Sequence, residues 1–227
     1  YYPVFTYLDE DELEEYINLT HQLATAISKK GGKIVMSEYA KQLLIKRSRV
    51  VAGTRGKLSE LKKQIEPFKD DKHLLVYCGA TTIKEADADE LDFGTRQIDL
   101  VTSMLGNDLG MRVGRFTSQE SSQERAQIRA AFAEGDMLQA LVAIKCLDEG
   151  VNIPSIKTAF VLASSTNPKE YIQRRGRVLR KFPGKDYAVI FDFITLPFPV
   201  DELGFQSQEI INSTKGLVKR EIIRMSV

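Results

Sequence analysis

The chain has 227 residues, 43% of them hydrophobic and 28% charged, with a formal net charge of +1. This supports a sizeable core in one domain, or one domain with an appended lobe, and argues against a wholly basic nucleic-acid coat protein. Two cysteines, two histidines and the lack of a long uncharged apolar run argue against a disulfide framework, a Cys/His zinc module and a membrane span, so the cytoplasm is the expected compartment.

The sequence begins on Tyr1 rather than Met, so a fragment of a longer chain is expected. Tyr1 to Leu8 reads as aromatic and extended. Asp9 then opens a helix whose first turns hold Glu10, Asp11, Glu12, Glu14 and Glu15, acids placed where the helix dipole favours them. Apolar residues at Leu13, Tyr16, Ile17, Ala24 and Ile27 carry the helical period towards a stop at Gly31-Gly32. Two further helices are predicted over Ser37 to Val51 and Leu58 to Ile65. Between Lys29 and Lys63 eleven Lys/Arg face two acids, which suits either a phosphate backbone or a solvated helix face. Gly53-Thr54-Arg55-Gly56-Lys57-Leu58 resembles a phosphate loop but fails its spacing, because Val51 holds the first glycine position and Leu58 the Ser/Thr position. Residues 1–72 are expected to form a helical N-terminal extension.

From His73 short apolar runs alternate with helical segments. Strands are predicted at Leu74 to Cys78, Met111 to Phe116, Ala140 to Ile144, Thr158 to Leu162 and Tyr187 to Phe191. Helices are predicted at Thr95 to Leu105, Ser122 to Glu134 and Pro168 to Arg180. The alternation predicts an α/β fold over 73–196, a parallel sheet with helices on both faces. Asp87 to Gly94 is acidic and reads as a surface elaboration. Cys78 and Cys146 end apolar runs, the usual place for a buried thiol. Residues 197–227 hold a terminal helix, Ser207 to Met225, that docks either on this domain or on another body.

Ligands of such sheets gather beyond the carboxyl ends of the strands. There the sequence places Gly79-Ala80-Thr81-Thr82, then Thr117-Ser118 before a helix near Ser121 and Ser122, then Lys145 to Pro154. The serines suit a phosphate site or ordinary helix capping equally well.

The most specific stretch is Tyr171 to Arg180, with four arginines and one glycine. Asn167 and Pro168 make a helix start, and Phe182-Pro183-Gly184 a stop. Gln173, Arg174, Arg177, Arg180 and Lys181 fall on one arc of the helical wheel, and Tyr171, Ile172, Val178 and Leu179 on the other. Arginine rather than lysine favours bidentate recognition of phosphate or carboxylate, which leaves open a basic surface helix or an Arg-carboxylate clamp within the fold. Arg175 lies on the apolar arc and receives no role from the pattern.

Gln173-Arg174-Arg175-Gly176-Arg177-Val178-Leu179-Arg180 resembles motif VI, Q-R-x-G-R-x-x-R, of superfamily 2 helicases and translocases. Leu74 to Gly79 and Ala143 to Pro154 resemble motifs IV and V, in the family's order and spacing. The resemblance implies a RecA-like domain, the second of two, that faces ATP held by the first. It implies arginine fingers at Arg177 and Arg180, and nucleotide contacts from Glu149, Gly150, Asn152, Gln173 and Arg174. It also implies a nucleic-acid track along Gly79, Ala80, Thr81, Thr117 and Lys145. Many members carry Asp where this chain has Asn152, and Ser or Thr where it has Lys145. Asn152 keeps a hydrogen bond to ribose without charge, and Lys145 either replaces a hydroxyl contact with a charge or caps the turn in solvent.

No phosphate loop and no Mg²⁺-binding Asp-Glu pair stands in a suitable strand-loop-helix context, so this chain alone is expected not to hydrolyse ATP. ATP and Mg²⁺ would be held mainly by an upstream RecA-like domain of the same parent chain. The likeness lies nearer the DNA-translocating branch, so duplex DNA is the expected partner, with RNA as the alternative. A reading of another class is a catalytically silent module that binds nucleic acid or a protein partner.

Overall fold

A computed structural model describes residues 1–30, 33–79, 82–83, 95–117, 119–144, 153–163 and 168–225. Within it, residues 28–30, 33–35, 82–83, 95, 168–171 and 174 are described by their backbone alone. The chain runs through β1 (Tyr2–Tyr7), α1 (Glu10–Ala26), the hairpin β2 (Ile27–Lys30) and β3 (Lys33–Met36), α2 (Glu38–Ala52) and α3 (Gly56–Ile65). Next come β4 (Leu74–Cys78), the short pair β5 (Thr82–Ile83) and β6 (Thr95–Arg96), α4 (Gln97–Ser103), β7 (Val113–Phe116), α5 (Ser122–Glu134) and β8 (Ala140–Ile144). It ends with β9 (Thr158–Val161), α6 (Pro168–Val178), β10 (Val189–Leu196) and α7 (Gln208–Met225).

The described strands form a six-stranded sheet in the order β1-β10-β9-β4-β8-β7, with every pairing parallel. Its strands β4 (LLVYC) and β8 (ALVAI) carry no charged residue and are buried because both faces are covered. Leu74, Val76 and Cys78 of β4 face one core with Leu61 and Ile65 of α3 and Ile98 and Val101 of α4. Leu75 and Tyr77 face the other, with Phe132 of α5 and Val178 of α6. Burial pushes the Cys78 thiol well above its ordinary pKa, as for an inert structural thiol.

Three elements depart from the expected chain. The first helix ends at Ala26, where Ile27 turns extended and pairs antiparallel with Met36, so the apolar residue that seemed to continue the helix opens a hairpin. Its strands flank Gly31-Gly32, a composition suited to hairpin loops. The helix of α4 passes into a π-helical turn at Met104–Asp108. Tyr2–Tyr7 is the edge strand of the main sheet, in register from Tyr2 opposite Phe191 to Tyr7 opposite Leu196. The sequence groups it with the helical extension because a parallel partner so far along the chain leaves no local trace.

The phosphate-loop look-alike closes the end of α2. Thr54 Oγ1 donates to the carbonyls of Val50 (3.3 Å) and Val51 (3.0 Å), and Lys57 Nζ to those of Val51 (2.8 Å) and Ala52 (3.3 Å). These are carbonyls that a helix terminus leaves without a partner. Arg55 instead clasps α1, with Nε 2.6 Å from Asp9 Oδ2 and Nη2 3.3 Å from Asp11 Oδ2. The terminal helix docks on this domain: Leu217 packs with Leu8 and Tyr16, and α7 lies against β10. Among the described residues, no helix is long and apolar enough to cross a membrane.

Burial of Lys57 lowers its pKa from 10.5 to about 8. Between these values the unfolded chain holds a proton that the folded chain has lost, so stability attributable to this residue rises with pH through the window. Relative to Lys57→Met, the native chain is expected to gain about 2 to 3 kcal/mol between pH 7.5 and pH 10.5 in urea unfolding. A difference between the two proteins that does not change with pH would show that folding leaves the Lys57 pKa at its ordinary value.

Candidate functional site

The carboxyl ends of β4 and β7 and the helix α6 supply the described part of the site. Beyond β4, the N–H of Gly79 donates to Oε1 of Gln97 at 2.9 Å, and Gln97 Nε2 donates to the Ala52 carbonyl at 3.1 Å. Gln97 is fully buried, so one side chain ties the strand end to α4 and to the end of α2. The sequence carries no sign of this role beyond a polar residue on the buried face of a helix.

Beyond β7, Thr117 is already engaged. Its N–H donates to Glu120 Oε2 at 2.6 Å, and its Oγ1 lies 2.9 and 3.1 Å from the two Glu120 oxygens. A carboxylate therefore occupies the two donors that a phosphate would use. Arg125 Nη2 donates to the Thr117 carbonyl at 2.8 Å and holds the turn against α5. Ser121 and Glu124 form a capping box, so Ser121 serves as a cap.

On α6 the arginines divide. Arg175 turns inward: its Nη2 lies 2.9 Å from Asp192 Oδ2 on β10, 2.9 Å from the Tyr1 hydroxyl and 3.2 Å from the Arg224 carbonyl. Its guanidinium also covers the Tyr1 ring, 4.4 Å from the centroid. Asp192 is 2% exposed and takes a second cation, Arg224, whose Nη2 lies 3.4 Å from Oδ1 and 3.0 Å from Glu221 Oε2. Burial, with the Asp192 carboxylate beside it, pushes the Tyr1 hydroxyl up; burial likewise raises Glu221 against the pull of Arg224 and Lys57. The clamp within the fold that the sequence left open thus exists, and Arg175 forms it. Its signal was present: an arginine on the apolar arc, and a lone acid inside the apolar run of β10.

Locking Arg175 inward sets the roll of the helix. At about 100° per residue, Gln173, Arg177 and Arg180 all lie within about 40° of the opposite side. Gln173 and Arg180 are exposed and Arg177 is half-buried. Arg180 lies two residues beyond the last α-helical residue, with a bond from its N–H to the Arg177 carbonyl at 3.4 Å. Gly176 is exposed to one side of them, and among the described residues a Cβ built there meets nothing within 4 Å. Arg174 lies on α6 with its side chain undescribed. Ala80, Thr81, Lys145, Glu149, Gly150, Asn152 and the expected cap Asn167 lie outside the described residues, as does Cys146. No group of three or more His, Cys, Asp or Glu side chains among the described residues is placed to hold a metal ion.

A profile of the helicase conserved C-terminal domain matches residues 56–182. The chain is 32% identical over 80 residues to the DNA 3'-5' translocase XPB2 of Sulfurisphaera tokodaii, a match covering 35% of this chain and 17% of that protein. It is 24% identical over 182 residues to a putative ATP-dependent RNA helicase of Methanocaldococcus jannaschii, covering 77% and 22%. The matches thus span about a fifth of the length of these relatives. Among solved structures it resembles the Sulfolobus solfataricus SWI2/SNF2 ATPase core in complex with dsDNA, with a TM-score of 0.61 at 16% identity over 97% of this chain and 47% of that one. It also resembles the C-terminal part of the Fun30 ATPase domain, with a TM-score of 0.58 at 13% identity over 98% and 96%. The shared fold is RecA-like α/β.

Replacing Arg175 with Met leaves the buried Asp192 with one cation fewer. Unfolding in urea is expected to show a loss of about 3 kcal/mol, part of which Asp192→Asn recovers in the double variant. Additive losses would mean that the two residues do not act as a pair.

Proposed function

The chain belongs to the helicase conserved C-terminal domain family of superfamily 2 ATPases, and on that premise we propose that it is the second motor domain of an ATP-dependent nucleic-acid translocase. In this reading Arg177 and Arg180 are arginine fingers directed at ATP on an upstream RecA-like domain of the same parent chain. Arg174 braces the interface, and Gln173, Glu149, Gly150 and Asn152 approach the nucleotide.

The observation that carries the reading is the split of α6 by Asp192. One arginine is drawn into the fold, while Gln173, Arg177 and Arg180 share the opposite side beside an open glycine. A glycine inside a helix costs about 1 kcal/mol relative to alanine, and no described neighbour demands it. It keeps the helix surface low where another body approaches. Guanidinium groups suit the oxygens of a phosphate chain, which they hold bidentately and without loss of charge.

Bound ATP with its Mg²⁺ supplies the phosphoryl group whose transfer to water drives the motor. The arginines stabilise negative charge on that group and draw the two domains together; when phosphate leaves, that attraction is lost and the cleft reopens. Gly79, Ala80, Thr81, Thr117 and Lys145 line the nucleic-acid side. Since Gln97 holds the Gly79 N–H, Gly79 contributes close backbone approach, and Thr117 meets a phosphate when Glu120 swings away. Such backbone contacts are sequence-tolerant and salt-sensitive. The name of the translocase relative and the dsDNA in the SWI2/SNF2 complex support DNA, and the name of the Methanocaldococcus jannaschii relative keeps RNA as the alternative.

The full-length protein is expected to hydrolyse ATP faster with duplex DNA added, and Arg180→Ala to lower that turnover roughly 10³-fold while ATP still binds. Stimulation by single-stranded RNA alone reassigns the substrate. An absence of turnover, or an unaffected Arg180→Ala, leaves a silent binding module instead.

Removing the Glu120 carboxylate tests the nucleic-acid side. Glu120→Gln is expected to tighten duplex DNA binding about 3- to 10-fold at low salt by titration, as a competing anion leaves the Thr117 donors. Unchanged affinity takes Thr117 out of the track.

A further inference from the structure

The turn that ends the arginine helix returns a lysine onto it. Gly184, with φ of +72°, lets the chain reverse between Phe182 and Lys185, which are joined by a bond from the Lys185 N–H to the Phe182 carbonyl at 3.0 Å. The reversal brings Lys185 Nζ to three carbonyl oxygens: Val178 at 2.5 Å, Arg180 at 3.0 Å and Pro154 at 3.1 Å. An ammonium has three donors, so each has an acceptor. The Val178 carbonyl ends α6 and the Arg180 carbonyl lies two residues beyond it, a place where a cation is favoured by the helix dipole and by unsatisfied acceptors. The third belongs to the segment arriving from β8, which is seated by buried Ile153 and Ile156 and the bond from the Ile156 N–H to the Ile153 carbonyl. Burial lowers the Lys185 pKa below the ordinary lysine range, in keeping with an amine turned onto the protein rather than into water.

We propose that Lys185 is a positioning residue that fastens the backbone of Arg180 to the β8 exit segment, so that the helix facing the nucleotide and the loop between nucleotide and nucleic acid move as one piece. It rests on the reading of Arg180 as a finger. Lys185 touches neither ATP nor nucleic acid in this scheme; it acts on where Arg180 stands. Arg180 lies two residues beyond the last α-helical residue, so its backbone position depends on contacts outside the helix, the Lys185 bond to its carbonyl among them. A finger displaced by about 1 Å loses much of its effect, on the order of 10²-fold in rate.

The test compares Lys185→Met, Lys185→Gln and Lys185→Arg with the native residue in the full-length protein, alongside Arg180→Ala. Lys185→Met is expected to lower DNA-stimulated kcat roughly 10- to 100-fold with the KM for ATP changed less than about twofold. The basal rate is expected to fall less than the stimulated rate, because the link between the two ligand sides is what is cut. Lys185→Arg, which keeps several donors, restores most of the stimulation, and Lys185→Gln falls between. Amide exchange over residues 176–182 quickens in Lys185→Met and not in Lys185→Arg, while β4 and β8 stay protected. A folded Lys185→Met with native stimulation, or with unchanged exchange over 176–182, overturns the proposal; so does an equal loss of basal and stimulated rates that Lys185→Arg fails to rescue. If Arg180→Ala itself leaves turnover unchanged, the finger reading falls. Exchange then decides the anchor alone, quickened exchange supporting it and unchanged exchange refuting it.

Discussion

A carboxylate buried in a parallel strand holds this domain together where its function would lie. Asp192 is 2% exposed and receives a hydroxyl and a guanidinium on one oxygen, with a second guanidinium near the other. Leaving such a charge unpaired in the interior costs several kcal/mol, so the groups that pair it are fixed with it. Those groups come from the start of the chain at Tyr1, from the arginine helix at Arg175 and from the terminal helix at Arg224. One ion cluster therefore sets the edge strand, the roll of α6 and the seat of α7 together.

Elsewhere side chains take up several polar groups of the backbone. Gln97 takes up the Gly79 amide, Glu120 the Thr117 donors, and Thr54 and Lys57 the carbonyls that close α2. These bonds fix the backbone beyond the sheet through the chain's own side chains. On α6, Gln173 and Gly176 are exposed, and among the described residues a Cβ at Gly176 meets nothing within 4 Å. The helicase C-terminal family match over residues 56–182 includes this helix.

What the sequence determined by itself is local. Strands at Leu74–Cys78 and Ala140–Ile144 and the helix Ser122–Glu134 stand where periodicity and caps predict them, because burial on both faces and a capping box leave their mark within a few residues. The parallel α/β class followed from the order of those elements, its RecA-like form from the resemblance of three motifs, and the rejection of the phosphate-loop look-alike from its spacing alone. The tertiary structure decided what depends on partners distant in the chain. Only there does Arg175 acquire Asp192, Gly79 acquire Gln97 and the first strand acquire β10. Even the hairpin at Ile27–Met36 replaced a helical period that ran on past its end, since cross-strand pairing outweighs propensity in a short segment. Periodicity reports which side of an element is apolar, but a buried charge or amide reports nothing until the group that neutralises it has been brought alongside by the fold.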